Sequence, residues 1–331
     1  MSRWLSDAAV QHLRGLGEVP DLSGTRYTLV SRLGAGGMGV VYLAEDRELG
    51  RHVALKVLHR EHGDPDTAAR LVREARILAG LEHPGIVPVH EVGTLPDGRS
   101  YYVMKRVVGE RLDEAVRREP TIAERLTLFG RICETVAFAH AHGVVHRDLK
   151  PENVMVGPFG ETLVLDWGVA KQLGVEPDAG TAAGDDAAAA TDDAGLTRDG
   201  TVIGTPDYMA PEQRAGAAVD ARADVYALGV LLHFLLAGRP APGPAAAPPN
   251  VPRPLAAICR RATALDPAAR YDGAAALARD VRSFQAGARV VAHREAWWER
   301  AARLTSRFRT PILLLVAYLV VRLVLLVLSR S

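Results

Sequence analysis

The chain has almost no cysteine. Cys133 and Cys259 are its only two, too few for a disulfide framework and spaced for no metal site. Both lie in apolar, helix-patterned surroundings, so they read as small buried hydrophobes in a reducing compartment. Net charge is nearly absent as well: 40 Lys and Arg against 39 Asp and Glu leave +1. That balance argues against nucleic acid as a partner, since such binding needs a surplus of cations. The N-terminus lacks an apolar run. Met1 to Val10 has no sustained hydrophobic core, so no secretory leader is expected and the N-terminus is expected in the cytoplasm. What is present is 331 residues with 48% hydrophobic content, enough for one domain of ordinary size plus tails.

Residues 1–24 form an N-terminal extension with a short amphipathic run (Trp4, Leu5, Ala8, Ala9, His12, Leu13, Leu16). A small helix packed on the domain is the preferred reading, a partner-binding helix the alternative. From Tyr27 the pattern turns to strands, over Tyr27–Leu33, Val40–Ala44 and His52–Leu58. Asp64-Pro65-Asp66 opens a helix to about Leu81, with Leu71, Ala75 and Leu78 on one face. Val87–Val92 and Ser100–Val107 are further strands, joined by the turn Pro96-Asp97-Gly98. After Gly109 helical periodicity takes over, at about 121–142, 219–237, 255–265 and 273–285. The expected class is α+β, a small β-rich lobe followed by a larger helical one. Gly174–Asp199 is Ala, Gly and Asp with scarcely an aliphatic anchor and is expected to be a solvated, disordered insert. Arg239–Pro254 is Ala/Pro-rich and expected to be extended, partly polyproline-like.

The chemistry is concentrated in His146-Arg147-Asp148-Leu149-Lys150-Pro151-Glu152-Asn153, followed by Asp166-Trp167-Gly168. A carboxylate, an ammonium and an amide share one loop. Moving a phosphoryl group demands positioning and charge neutralisation rather than covalent chemistry. Asp148 suits orientation of an acceptor hydroxyl and late uptake of its proton. Lys150 suits neutralising the moving group, and Asn153 and Asp166 suit holding Mg²⁺ through hard oxygens. This order is the kinase catalytic-loop pattern, and the chain resembles the eukaryotic-like Ser/Thr protein kinases of bacteria. The resemblance implies the two-lobed protein kinase fold, ATP with Mg²⁺ (Mn²⁺ as an alternative), and protein substrates. It places the domain at about 25–285 and the activation segment at 166–212.

The turn Gly34-x-Gly36-x-x-Gly39-x-Val41 lies between two strands. Glycine lets backbone close over phosphates with no Cβ in the way. Alone the motif is weak, because dinucleotide-binding turns use it; those lead into a helix, and this one leads into a strand. Lys56 ends the apolar run Val53-Ala54-Leu55. A solvated lysine is its plain reading, but its spacing from the glycines and from Glu74 matches the phosphate-gripping lysine and its ion-pair partner. By the same resemblance Val41, Ala54 and Met155 sandwich the adenine ring, with Leu33 also in the nucleotide set. Met104 guards the back of the pocket, and the backbones of Lys105 and Val107 bond the purine edge. Lys105 stands where the family often has an acid, and its side chain is expected to point outward.

Lys150 marks the Ser/Thr branch. Thr205 looks like the threonine that ties the acceptor-site loop to Asp148 and Lys150. Ala210-Pro211-Glu212 closes the activation segment; Arg270 is the expected partner of Glu212, and Asp224 resembles the aspartate that bonds the catalytic-loop backbone. Arg147 implies regulation by a phosphate on the activation segment. Thr197 and Thr201 are the best-placed acceptors and Thr191 the third; the alternative is that Arg147 simply bonds a carbonyl. Trp167 departs from the usual Phe but is an equally flat packer. His140, His142 and His146 are read as structuring the loop, and Asp185, Asp186, Asp192 and Asp193 as a solvated acidic stretch, none as metal ligands. At Arg239–Pro254, where relatives usually carry a substrate-docking helix, the docking surface is expected to be reduced.

The tail changes character. Residues 286–310 are a basic juxtamembrane segment: Arg289, Arg294, Arg300, Arg303, Arg307 and Arg309 stand against Glu295 and Glu299, with Trp297-Trp298 among them. Then 311–328 reads as a transmembrane helix whose apolar core, Ile312–Leu328, has 17 residues, 14 of them Ile, Leu or Val. These favour insertion by about 4–8 kcal/mol, against roughly 2.5–3.5 for a central Arg322. An interfacial or buried helix is the alternative. Arginines and tryptophans before the segment keep that side cytoplasmic, so the expectation is a single-pass cell-membrane protein with a cytoplasmic kinase domain. Tyr318 and Arg322 share a helix face and allow a homodimer seam. No sensor domain is expected after the segment, and a signal is expected from the cytoplasmic side, the membrane or a partner. The reading is a membrane-anchored Ser/Thr protein kinase that also acts on its own activation segment. A nucleotide-binding pseudokinase scaffold is the alternative, and a small-molecule phosphotransferase a third reading that Lys150 and Ala210-Pro211-Glu212 argue against.

Overall fold

The computed structural model describes residues 19–36, 39–59, 65–118, 121–167, 171–172 and 207–294, with five isolated helical positions between 317 and 328. The first lobe is a five-stranded antiparallel sheet in the order β1-β2-β3-β5-β4. Its strands are β1 (Tyr27–Ala35), β2 (Gly39–Asp46), β3 (Arg51–Leu58), β4 (Val89–Thr94) and β5 (Ser100–Lys105). Helix α1 (Pro65–Ala79) lies between β3 and β4 in the chain. The strand period of two sorts the side chains. Val40, Tyr42 and Ala44, with Val53, Leu55, Val57, Tyr101 and Val103, form one buried cluster on one face. On the other face Leu58 and Tyr102 join Leu71, Ala75 and Leu78 of α1 in a second, larger cluster. β3 is buried on both faces from Val53 to Leu58, as a central strand must be.

The register then decides which residues face the cleft. Val41 pairs with Lys56, and Leu43 with Ala54. Ala54 pairs with Met104 and Lys56 with Tyr102. Cross-strand partners point to the same face, so Val41, Ala54, Lys56, Tyr102 and Met104 share one surface. Gly39 allows β2 to run close to β3: a Cβ there would sit 2.3 Å from the Val57 carbonyl oxygen.

The second lobe is helical, apart from small strand pairs. A short strand β6 (Glu110–Arg111) leads into α2 (Leu112–Val116) and then α3 (Ile122–Ala141). Thr121 caps α3: its hydroxyl accepts from the Glu124 N–H, and the Glu124 carboxylate takes the Thr121 N–H at 2.8 Å. β7 (Val144–Val145), β8 (Val154–Val156), β9 (Thr162–Val164) and β10 (Lys171–Gln172) frame the loops that carry the chemistry. α4 (Pro211–Arg214), α5 (Ala221–Ala237), α6 (Arg253–Ala262) and α7 (Ala274–Gln285) complete the described order. α5 is buried on almost all sides and is the lobe's axis; Asp220 caps its start and Gly238, with φ 72°, its end. Cys133 and Cys259 are buried, and burial pushes the Cys259 thiol up to about 12.

Several sequence expectations are corrected. The fourth strand starts at Val89 rather than Val87, because Pro88 has no N–H to give a ladder and a register shift follows between Val89 and Glu91. β6, β8 and α2 are too short to show a period and were not expected. Residues 239–252 hold no helix, but neither are they extended. The Ala245 N–H donates to the Thr263 carbonyl at 2.7 Å, and Ala245 and Asn250 adopt left-handed turns. Packing of Ala241 and Ala246 against the core folds the segment down. Among the described residues no helix is long and apolar enough to cross a membrane. The helix expected at 311–328 lies almost wholly outside them, as do the extension 1–18 and the insert 174–199.

Candidate active site

Lys56, from the cleft face of β3, meets Glu74 of α1. Its Nζ is 2.8 Å from Oε1 and 2.9 Å from Oε2. Tyr102, opposite Lys56 on β5, donates its hydroxyl to Glu74 Oε1 at 2.9 Å. Asp166 Oδ1 lies 3.7 Å from the same ammonium. Burial pushes the Lys56 amine down, but Glu74 and Asp166 outweigh it and hold it above the ordinary lysine value. Burial, then Glu74, raise Tyr102 well above the ordinary tyrosine value, so its hydroxyl stays a donor.

The catalytic loop is built on one buried carboxylate. Asp224, in the first turn of α5, accepts the backbone N–H of His146 and of Arg147, each at 2.8 Å, and His140 Nε2 also at 2.8 Å. Burial pushes the Asp224 carboxyl up; the bond and charge of His140, the His146 ring and the backbone N–H reverse this and hold it below the ordinary aspartate value. His146 accepts the Asp148 N–H on Nδ1 at 3.2 Å and donates from Nε2 to the Leu165 carbonyl at 3.0 Å. One imidazole thereby links Asp148, two residues on, to the residue before Asp166. Arg147 and Asp166 both sit in left-handed backbone, φ 69° and 59°, a conformation that costs about 1–3 kcal/mol in a non-glycine residue and persists only where surroundings enforce it.

Around Asp148 the acid, base and amide converge. Lys150 Nζ donates to Asp148 Oδ2 at 2.7 Å. Asn153 Nδ2 donates to the Asp148 carbonyl at 2.8 Å and to its Oδ2 at 3.0 Å. Both amide hydrogens of Asn153 are thus spent on Asp148, and its Oδ1 is left for another partner. Trp167 is buried, donates to the Val164 carbonyl at 3.2 Å and packs on His146 with ring centroids 4.6 Å apart. The ring after Asp166 therefore belongs to the core while the Asp166 side chain is about half exposed.

The nucleotide set predicted from sequence divides into three groups. Val41, Ala54 and Met104 share the cleft face with Lys56, and Met155 arrives from β8, paired with Leu163. Lys105 is exposed and ends β5, with Val107 just beyond it. Leu33 is exposed on β1. A Cβ on Gly34 or Gly36 would meet nothing within 4 Å, whereas Gly39 is packed. Among the described glycines of this turn, Gly34 and Gly36 border open space and Gly39 does not. Thr191, Thr197, Thr201 and Thr205 lie outside the described residues.

Glu212 and Arg270 form a two-pronged pair, Nη1 to Oε1 at 2.6 Å and Nη2 to Oε2 at 2.8 Å. Arg270 also donates to the carbonyls of Ala264, Arg222 and Leu265. Next to it Gln213 accepts the Ala210 N–H and donates to the Arg147 carbonyl at 2.9 Å. Sequence reasoning missed Gln213 and Tyr102. Tyr102 was reachable from strand alternation opposite Lys56; no sequence signal marks Gln213.

These residues fit a phosphate-bearing nucleotide with a divalent cation. The open space at Gly34 and Gly36 admits phosphate oxygens, and Lys56 offers a charge. Asp166 and the spare Oδ1 of Asn153 are hard-oxygen ligands, the kind Mg²⁺ takes when phosphate and water complete its shell. Among the described residues no cluster of three His, Cys, Asp or Glu could hold a metal by itself.

Comparison with known proteins gives a consistent result. Residues 27–247 match the family described as protein kinase domain. The chain is 39% identical over 236 residues to serine/threonine-protein kinase PknD of Chlamydia trachomatis serovar D, covering 64% of this chain and 24% of that protein. It is 40% identical over 225 residues to serine/threonine-protein kinase pkn2 of Myxococcus xanthus, covering 66% and 25%. The chain thus spans about a quarter of the length of these relatives. The crystal structure of the Mycobacterium tuberculosis PknI kinase domain superposes with a TM-score of 0.59 at 27% identity, covering 81% of this chain and 98% of that one.

Proposed function

The chain belongs to the protein kinase domain family, and on that premise we propose that it transfers the ATP γ-phosphate to Ser/Thr hydroxyls of proteins, its own activation segment included. One observation carries this reading: Lys150 and Asn153 both lie within 3.0 Å of Asp148 Oδ2, beside a buried Lys56–Glu74 pair. Mg-ATP, when bound, supplies the activated phosphoryl group. Asp148 Oδ2, fixed by Lys150 and Asn153, orients the acceptor hydroxyl and takes its proton. Lys150 offsets negative charge between acceptor and donor, and Lys56, positioned by Glu74, holds phosphate oxygens. Asn153 and Asp166 are the residues for Mg²⁺ or Mn²⁺. Leu33, Val41, Ala54, Met104 and Met155 enclose the base, with the backbone of Lys105 and Val107 at its edge.

The test is transfer from γ-labelled ATP by the full chain beside Asp148→Asn, with mass spectrometry of the products. Phosphothreonine at Thr197 or Thr201 in the wild type alone is the expected result. ATP binding without transfer in both proteins favours the pseudokinase scaffold.

Attachment to the cell membrane through 311–328, with the kinase domain in the cytoplasm, is part of the same proposal. Its support is the 17-residue apolar run after a basic, Trp-bearing segment. Tyr318 and Arg322, both helical and exposed, are the residues we assign to a homodimer seam. Carbonate extraction of membranes carrying the full chain or a form ending at residue 310 tests the anchor: only the full chain should stay with the lipid.

A further inference from the structure

We propose that Gln213 is a positioning residue for the catalytic loop, its one amide joining the end of the activation segment to the peptide that aims Asp148. The inference rests on the phosphotransfer reading above. Arg147 occupies left-handed backbone, φ 69°, which side-chain-bearing residues avoid. Two elements hold it there. Asp224 of α5 takes its N–H at 2.8 Å, and Gln213 of α4 donates to its carbonyl at 2.9 Å. That carbonyl belongs to the peptide leading into Asp148, so its tilt sets where the carboxylate points. Gln213 Oε1 accepts the Ala210 N–H at 3.3 Å, and one orientation of the amide serves both bonds. The bridge therefore exists only when Ala210–Gln213 is in place beside Arg147. Glu212 is anchored to Arg270 at 2.6 Å, so Gln213 works from a fixed base. Correct seating of the acceptor-side segment is thereby read directly by the loop that carries the base.

Helix capping is the competing role, and two substitutions separate it from bridging. Gln213→Glu keeps the acceptor for Ala210, deletes the donor and sets a carboxylate oxygen against the Arg147 carbonyl. Gln213→Met has similar length and makes neither bond. Full-length proteins are assayed on a peptide substrate, with kcat referred to the fraction of molecules that bind ATP, so partial unfolding is divided out. The expected result is a fall in kcat of about tenfold or more in both variants, with KM for ATP within about twofold of wild type. A Glu variant whose kcat stays within about twofold of wild type, with Met alone impaired, assigns Gln213 to capping and overturns the proposal. So does a change confined to KM for ATP. If wild type itself transfers no phosphate, the phosphotransfer reading fails and this inference falls with it. An active wild type with an unimpaired Glu variant sinks the inference alone.

Discussion

Lys56 and Glu74 lie eighteen residues apart in sequence and 2.8 Å apart in space, one on a strand and the other on the helix that packs over it. The pair is almost wholly buried, and Tyr102 shares the carboxylate from a third element. Three pieces of the small lobe must therefore be correctly seated for one ammonium to face the cleft. This is the arrangement a phosphate-gripping lysine requires.

Glu74→Gln should leave the fold standing and lower kcat/KM by about 10–100-fold, since the amide keeps a bond to Tyr102 but no longer fixes the lysine by charge. Lys56→Met should abolish transfer and also lower the melting point, because it strands the buried Glu74 carboxylate. Steady-state kinetics beside a melting curve checks both. Because Lys56 is held above its ordinary value, the pair's contribution to stability is complete below about pH 10.4 and is lost only as pH rises through the higher folded value. Between pH 6 and 9 this lysine should therefore add no pH dependence to stability.

The acid limb belongs to Asp224. Its carboxyl is held below the ordinary aspartate value, so its contribution is complete above about pH 3.9 and is lost as pH falls through the lower folded value. Asp224→Asn should cost about 3 kcal/mol or more at neutral pH, because buried backbone N–H groups lose a charged acceptor. The same variant should show a flatter decline below pH 4. Urea titrations at pH 7 and at several acid pH values would reveal either slope.

Arg270 is fully buried at its side chain and supports Glu212 and three carbonyls. Arg270→Ala should destabilise the chain by about 3–5 kcal/mol through the stranded Glu212 carboxylate. Arg270→Lys should recover only part of this, since an ammonium cannot reproduce the forked geometry. Chemical denaturation with unchanged m-values is the measurement.

Glycine substitutions should separate stability from nucleotide binding. Gly39→Ala drives a methyl into the Val57 carbonyl oxygen and should cost about 1–3 kcal/mol of stability. Gly34→Ala meets no protein atom; its melting point should match wild type while KM for ATP rises several-fold. Equal melting points for the two variants would contradict this account.

Trp167→Phe should remain active. The ring keeps its place against His146, and the lost bond to the Val164 carbonyl should cost about 1 kcal/mol. Activity at 25 °C beside a thermal melt tests it.

Much of this protein was legible in the chain itself, because the informative interactions are local. The strand-forming runs Tyr27–Leu33 and His52–Leu58, a helix opened by Pro65, and the order from His146 to Asn153 are set within a few residues, where propensity and spacing act directly. The cleft-facing set Val41, Ala54 and Met104 came from the family resemblance, and the strand register places these residues on the face of Lys56. Tertiary structure alone decided the rest. That Gln213 reaches the Arg147 carbonyl 66 residues earlier, that Asp224 gathers His140, His146 and Arg147, and that the Ala/Pro segment after Arg239 folds onto Thr263 all depend on contacts between distant elements. No local pattern encodes them. Each is made because a backbone group buried by packing must find a partner, and which side chain stands there is known only when the helices have been brought together.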